Sequence, residues 1–117
     1  MAALAVITVV VMCCVQDSQA DSGVPTITVH AMRYEFDPAE IVVQKGQTVR
    51  LIFIADDVPH GIAIDDLGVQ VELPKRKPQT VMITPAVAGD FEGVCSKYCG
   101  TGHSDMTFMV HVKQSTR

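Results

Sequence analysis

The sequence predicts an all-β fold, a β-sandwich or barrel with Greek-key connections, over residues 21–117. Short segments rich in β-branched residues recur along the chain, and proline and glycine separate them. No segment of ten or more residues in this range has helical periodicity. Hydrophobic residues make up 48% of the 117 residues, which is enough to build the core of one domain.

Seven segments have the composition and alternation of strands. The first, residues 25–36, places β-branched residues at near-alternating positions. Residues 41–43 and 48–55 form two strands around a turn at Lys45-Gly46. Further short strands are predicted at residues 60–64, 79–85, 90–95 and 106–112.

Residues 1–20 are predicted to be an apolar export segment. Residues 2–15 are almost wholly apolar but shorter than the ~20 residues of a membrane span, which suits the core of a signal peptide. Ser18 and Ala20 provide small residues before a cleavage point at Asp21. A lipid anchor at Cys13-Cys14 and an uncleaved membrane anchor stay open. We therefore expect export to the periplasm or the outer face of the cytoplasmic membrane, with membrane association possible through the N-terminus.

The charge balance excludes one class of partner. The net charge is −4, so the chain has nothing to neutralise a run of phosphates, and we expect no nucleic acid. Residues 74–78, PKRKP, are a basic patch for which a solvated loop is the preferred interpretation. His30 and His111 are interpreted as surface members of strands.

The loop before the last predicted strand concentrates side chains that bind soft metals: Cys95, Cys99, His103 and Met106. Outside the cytoplasm a cysteine pair becomes a disulfide or a metal site. Thiolate and thioether ligands select copper, and imidazole suits it. Gly100 and Gly102 let the backbone turn tightly around a bound ion.

This arrangement resembles the cupredoxins, in which Cys, His and Met lie on the loop before the last strand. A mononuclear blue-copper site takes one cysteine, whereas this loop has two, which can bridge two copper ions. The pattern Cys-x-x-x-Cys-Gly-x-x-His-x-x-Met resembles the binuclear CuA motif of cytochrome c oxidase subunit II and nitrous oxide reductase. Upstream, DDVPHGIAIDDLGV resembles a stretch of subunit II in which Asp-Val-x-His leads to Leu-Gly. The resemblance covers roughly residues 25–113.

The resemblance implies a binuclear copper centre with six protein ligands: His60, Cys95, the backbone carbonyl of Lys97, Cys99, His103 and Met106. The two cysteines would bridge both ions. His60 and Met106 would serve one ion, and His103 and the Lys97 carbonyl the other. Asp56 or Asp57 is the candidate to orient His60 through its second ring nitrogen.

The resemblance further implies an electron carrier that is not itself an enzyme, since the protein ligands leave no open position for a substrate. Its redox partners would be proteins such as cytochrome c or a terminal oxidase or reductase. Subunit II has glutamate at the position of Lys97 and a tryptophan-rich docking cluster, whereas this chain has no tryptophan. These departures favour a free-standing CuA-type cupredoxin.

Three alternatives stay open. Cys95 and Cys99 could form a plain disulfide, which leaves His103 and Met106 unexplained. A structural zinc ion on His60, Cys95, Cys99 and His103 is chemically reasonable and leaves Met106 unused. An extracytoplasmic copper chaperone or storage protein could use the same ligands in an exposed, labile site. The completeness of the ligand set favours the carrier.

Overall fold

The computed structural model describes residues 23–115, in which nine strands form two sheets. The strands are β1 Thr26–Met32, β2 Glu35–Asp37, β3 Glu40–Gln44, β4 Val49–Ala55, β5 His60–Ile64, β6 Val69–Leu73, β7 Gln79–Ile83, β8 Gly89–Val94 and β9 Thr107–Lys113. Two short 3-10 helices lie at Asp65–Leu67 and His103–Asp105. The export segment predicted for residues 1–20 lies outside the described residues. Within residues 23–115, no helix has the length and apolarity that a membrane crossing requires.

The two sheets contain parallel and antiparallel pairs. One sheet has the order β2-β1-β4-β7, and the other has the order β3-β9-β8-β5-β6. The pairs β1–β4 and β3–β9 are parallel, and the other neighbours are antiparallel. The pairs β1–β2, β5–β6 and β8–β9 stay within one sheet, whereas the other consecutive strands cross between the sheets. The predicted all-β sandwich is confirmed.

The core lies between the sheets because the strands alternate in burial. In β4, Val49, Leu51, Phe53 and Ala55 are buried, while the residues between them are partly exposed. The ring centroid of Phe108 on β9 lies 5.8 Å from that of Phe53, with the rings nearly perpendicular. Burying a side chain of this size stabilises the fold by about 1.5–3 kcal/mol. This contact therefore anchors the start of β9 to the opposite sheet.

The strand predictions differ from the structure in two places. Residues 25–36 contain two antiparallel strands, β1 and β2, because the chain turns at residues 33–34. Strand β6 was missed altogether. Its alternation of Val69, Val71 and Leu73 with polar residues was the signal that could have found it.

Four strand ends meet at one end of the second sheet. His60 opens β5 and lies opposite Leu73, the last residue of β6. Val94 closes β8 and lies opposite Thr107, the first residue of β9. The loop that joins β8 to β9, residues 95–106, is therefore held beside the start of β5. We call this end of the sandwich the loop end.

Candidate metal centre

Backbone contacts fix the β8–β9 loop against the sheet. The Cys95 N–H donates to the Met106 carbonyl at 3.2 Å, which closes the base of the loop. The Ser96 N–H donates to the Gly61 carbonyl at 3.2 Å, which ties the loop to β5. A Cβ atom at Gly61 would overlap the Ser96 side chain, so glycine permits this close approach.

Two buried cysteine sulfurs lie at the centre of the candidate site. Cys95 and Cys99 are both buried, and their Sγ atoms are 3.8 Å apart. A disulfide bond requires about 2.05 Å, and both cysteines are free in this structure. The plain disulfide is therefore not the arrangement found here.

One imidazole lies beside each sulfur. His60 Nδ1 is 3.8 Å from Cys95 Sγ, and His103 Nδ1 is 3.7 Å from Cys99 Sγ. The ligand atoms of His60, Cys95 and Cys99 all lie within 4.8 Å of one another, and His103 is not a member of this group. His60 is completely buried, whereas His103 is partly exposed. The two histidines thus lie beside different sulfurs of the pair.

The remaining two predicted ligands also contact the sulfurs. Met106 is completely buried, and its Sδ atom lies 3.9 Å from Cys99 Sγ. The Lys97 carbonyl oxygen lies 3.2 Å from Cys95 Sγ, while the Lys97 side chain is exposed. The structure therefore brings all six predicted site residues together at the loop end. Their binding of metal stays a prediction.

Asp57, and not Asp56, contacts the second ring nitrogen of His60. Asp57 Oδ1 lies 2.8 Å from His60 Nε2, which leaves Nδ1 facing the sulfurs. Burial would raise the pKa of Asp57, but the hydrogen bonds from the Arg33 and Val58 backbone N–H groups and from His60 outweigh it and lower this pKa to about 2. Asp56 instead contacts His30 at 2.9 Å.

The Cys99 thiol is protonated at neutral pH when no metal is bound. Burial, together with the neighbouring Cys95, raises the pKa of Cys99 to about 11. Thiolate, not thiol, is the form that binds metal. A metal ion that binds the Cys99 sulfur would therefore displace its proton.

Tyr34 is a residue of the site that sequence reasoning missed. A Cβ atom at Gly100 or at Gly102 would overlap the Tyr34 side chain, so the ring fills the space that both glycines leave open. Arg33, the preceding residue, donates from Nε to the Cys99 carbonyl at 2.9 Å. From the sequence, the two glycines were interpreted as allowing a tight turn around a metal. Their contact with Tyr34, in the turn between β1 and β2, has no signal in the local sequence.

Comparisons with known proteins agree with this architecture. The chain matches the family described as the cupredoxin-like domain over residues 3–107. Cytochrome c oxidase subunit 2 of Thermus thermophilus is 29% identical over 89 residues, which are 76% of this chain and 66% of that protein. The periplasmic domain of subunit II of cytochrome oxidase (CoxB) of Bradyrhizobium japonicum superposes with a TM-score of 0.71 at 21% identity, covering 77% of this chain and 84% of that domain. A copper binding protein solved in its apo form by NMR has a TM-score of 0.62 at 28% identity, covering 78% of this chain and 89% of that one.

These findings establish the family. The two sheets and the ligand-rich loop before the last strand define a β-sandwich of the copper-protein type. The chain belongs to the cupredoxin-like domain family, and the predicted cupredoxin-like fold is confirmed. The chain spans 66% of one Thermus subunit 2 and 53% of another.

Proposed function

We propose that this protein holds a binuclear copper centre of the CuA type and carries single electrons. One observation carries the proposal: two buried cysteine sulfurs 3.8 Å apart, each with its own imidazole nitrogen at 3.7–3.8 Å. The cysteine sulfurs would bridge the ions, and His60 and His103 would each bind one of them. Copper, when bound, supplies one-electron redox chemistry.

The donor set fits copper better than a single zinc ion. Zinc in a structural site collects four ligands around one tetrahedral centre. Here His60, Cys95 and Cys99 form one close group, but His103 is not part of it. The thioether of Met106 beside Cys99 is a soft ligand that favours copper. These contacts support the binuclear interpretation, in which the histidines serve different ions.

Burial of the ligands supports a carrier that keeps its metal. Four of the ligand side chains, His60, Cys95, Cys99 and Met106, are buried in the sandwich. Asp57 fixes the ring orientation of His60 before any ion binds, so the site needs little reorganisation. Such a site changes its geometry little during electron transfer.

The relatives suggest the setting of this function. The subunit 2 relatives belong to cytochrome c oxidase, and the CoxB neighbour is a periplasmic domain. We infer that this chain works outside the cytoplasm and exchanges electrons with proteins such as a cytochrome c or a terminal oxidase or reductase. We propose that it is a free-standing carrier. Purification of the native protein tests this, because a subunit of an oxidase would be recovered within that complex.

Copper delivery is the second candidate function. The partly exposed His103 favours it, because a ligand at the surface gives a receiving protein access to the ions. A delivery protein would release copper rapidly to a chelator, whereas a carrier would retain it. The rate of copper transfer to an excess chelator therefore separates the two functions.

The decisive experiment is a copper count combined with visible and EPR spectra of the reconstituted full chain. We expect two copper ions per chain, a purple protein and one unpaired electron shared by both nuclei. One copper ion with a blue colour would refute the binuclear centre. Tighter binding of one zinc ion than of copper would refute the copper function itself.

A further inference from the structure

The basic segment PKRKP, residues 74–78, lies at the loop end of the sandwich. It follows β6, whose last residue Leu73 is paired with His60. Lys75 forms a parallel bridge with Ala55 at the end of β4. The segment is therefore a neighbour of the candidate metal centre, from which the sequence separates it.

This basic loop has a fixed backbone. The Arg76 N–H donates to the Ala55 carbonyl at 2.7 Å, and the Lys77 N–H donates to the Pro74 carbonyl at 3.2 Å. Arg76 has a φ of 60°, a left-handed conformation that residues with a side chain rarely adopt. The three cations are exposed, as expected of a solvated loop, but the turn holds them in one place.

Lys97 connects the basic loop with the metal centre. A cavity of about 160 Å³ beside His60 is lined by Lys75, Lys97 and Pro59, with Glu72 also on its wall. Lys97 of the cysteine loop thus shares a cavity wall with Lys75 of the basic loop. One carboxylate, that of Glu72, is present here against two lysines.

On its other side, Lys97 borders a second, more open cavity. This cavity of about 390 Å³ is lined by Arg33, Val58, Tyr98 and Cys99, in addition to Lys97. Tyr98 is 73% exposed, an unusual position for a large aromatic side chain. Its ring centroid lies 5.7 Å from that of His103. An exposed aromatic residue therefore lies beside a candidate ligand and between cations.

We define the cationic face as six exposed residues of the loop end: Arg33, Lys75, Arg76, Lys77, Lys97 and Tyr98. It holds five of the nine lysine and arginine residues of a chain whose net charge is −4. Among the described residues, none of these five cations forms an ion pair with a carboxylate. Asp56 and Asp57 lie nearby but contact His30 and His60.

We propose that the cationic face is the docking surface for a redox protein whose own contact surface is acidic. The inference deepens the proposed electron-transfer function and rests on it for the redox nature of the partner. Charge complementarity selects the partner, because the cationic face attracts an acidic protein, whereas the chain as a whole has a net charge of −4. Tyrosine is enriched at the energetic centres of interfaces, and Tyr98 presents an exposed ring within this face.

A cationic face of this kind changes the rate at which the two proteins associate. Complementary charge steers association and raises the association rate by about 10–1000-fold at low salt. The attraction is screened over a Debye length of about 10 Å at 0.1 M ionic strength. An acidic partner would therefore reach this end of the sandwich quickly, with the copper site facing it, and would do so more slowly as salt is added.

The test uses the copper-loaded full chain and two reduced electron donors, an acidic plant-type ferredoxin and a basic c-type cytochrome. Stopped-flow mixing measures the rate of copper reduction at increasing ionic strength. We expect the ferredoxin rate to fall as salt rises. At low salt, Lys75→Glu with Lys77→Glu should lower that rate about tenfold or more, and the copper spectrum should not change.

The matched control is Lys45→Glu with Lys113→Glu. Both residues are exposed and lie at the opposite end of the sandwich, where Lys113 closes β9. The control makes the same change in net charge, so we expect it to lower the ferredoxin rate much less. Equal effects of the two double variants would overturn the proposal, since net charge and not the face would then determine the rate. A faster, salt-sensitive reaction of the wild type with the basic cytochrome would overturn it as well.

Two further measurements distinguish the proposed docking surface from the copper function and from a membrane-binding surface. Calorimetric titration of the metal-free chain with ferredoxin, at low and high salt, tests docking even if the chain holds no redox-active copper. No salt-sensitive binding there, or binding that Lys75→Glu with Lys77→Glu leaves intact, would refute the docking surface. The second measurement is binding to vesicles that contain phosphatidylserine. If the chain bound these vesicles but not ferredoxin, and Lys75→Glu with Lys77→Glu abolished the binding, the face would be a membrane-binding surface. The proposal of a protein partner would then be overturned.

Discussion

Asp57 Oδ1 lies 2.8 Å from Nε2 of His60, and this contact determines which ring nitrogen faces the cysteine sulfurs. Because Asp57 is ionised, Nε2 carries the proton, and Nδ1 is left with its lone pair directed toward Cys95. The same carboxylate accepts hydrogen bonds from the Arg33 and Val58 backbone N–H groups. Asp57 therefore joins the candidate ligand to the start of β5 and to the turn after β1.

Asp57→Asn should weaken both the fold and the copper site. An asparagine oxygen can still accept from Val58 and His60, but its amide group would oppose the Arg33 N–H, so one hydrogen bond is lost. We expect a loss of about 0.5–1.5 kcal/mol in the free energy of unfolding. Copper affinity should fall about 10–100-fold, as for other partners that orient a ligand. Asp56→Asn is the control, because Asp56 contacts His30 instead. Equal copper affinity in wild type and Asp57→Asn would contradict the orienting role.

The same carboxylate predicts a pH dependence for the metal-free protein. The pKa of Asp57 is about 2 in the folded chain and 3.8 ordinarily. A lowered pKa contributes stability above pH 3.8, and that stability is lost as the pH falls toward 2. Urea denaturation between pH 6 and pH 2 should show this loss in the wild type and a shallower loss in Asp57→Asn. Because Asp57 is partly exposed, solvent screening limits the size of the effect. Parallel curves for the two proteins would rule out Asp57 as the source.

Cys99→Ser should reduce the copper content to at most one ion per chain. The substitution keeps the size of the side chain but removes one of the two sulfurs that lie 3.8 Å apart. The shared-electron EPR signal should disappear with the second ion. Thr101→Ser, an exposed position in the same loop, should retain both ions. Two ions with an unchanged spectrum in Cys99→Ser would show that Cys99 is not a bridge.

Met106→Leu should alter the reduction potential more than the stability. Leucine keeps the volume and apolarity of this buried side chain, so the fold should lose less than about 1.5 kcal/mol. The sulfur 3.9 Å from Cys99 would be gone, and a weak axial ligand tunes the potential of copper sites. Voltammetry of the copper-loaded variant measures the shift, with Met109→Leu on β9 as the control. An unchanged potential and spectrum would make Met106 a core residue only and would strengthen the zinc alternative.

Gly102→Ala should destabilise the loop through Tyr34. The Gly102 backbone has φ −92° and ψ 12°, which alanine can adopt, so the cost comes from overlap of the new methyl group with the Tyr34 ring. We expect a loss of about 1–3 kcal/mol in thermal or urea denaturation. Most of this loss should disappear when Gly102→Ala is measured in a Tyr34→Ala background.

Gly100→Ala is the contrast to Gly102→Ala in this double-mutant comparison with Tyr34→Ala. Gly100 has a φ of 139°, a conformation that alanine rarely adopts, and it also contacts Tyr34. The cost of Gly100→Ala should therefore persist in the Tyr34→Ala background. If Tyr34→Ala reduced the cost of neither glycine substitution, overlap with the Tyr34 ring would not be the reason that Gly102→Ala is destabilising.

Much of the candidate site was predictable because it is local in sequence. Cys95, Cys99, His103 and Met106 lie within one loop, so short covalent spacing limits how far apart they can be. Apolar alternation likewise predicted most of the strands, because strand periodicity is a local property. His60 required the resemblance to subunit II, since no local pattern relates residue 60 to residue 95.

The tertiary structure alone decided the contacts that connect distant segments. In the bend after β4, Asp56 contacts His30 of the neighbouring β1, which leaves Asp57 as the partner of His60. Sheet pairing brought the basic loop of residues 74–78 beside the metal centre. Arg33 contacts the Cys99 carbonyl across 66 residues of sequence. The sequence by itself determined which candidate ligands the protein has and in what order. Strand pairing determined what surrounds them, because those contacts depend on the positions of whole strands and not on neighbouring residues.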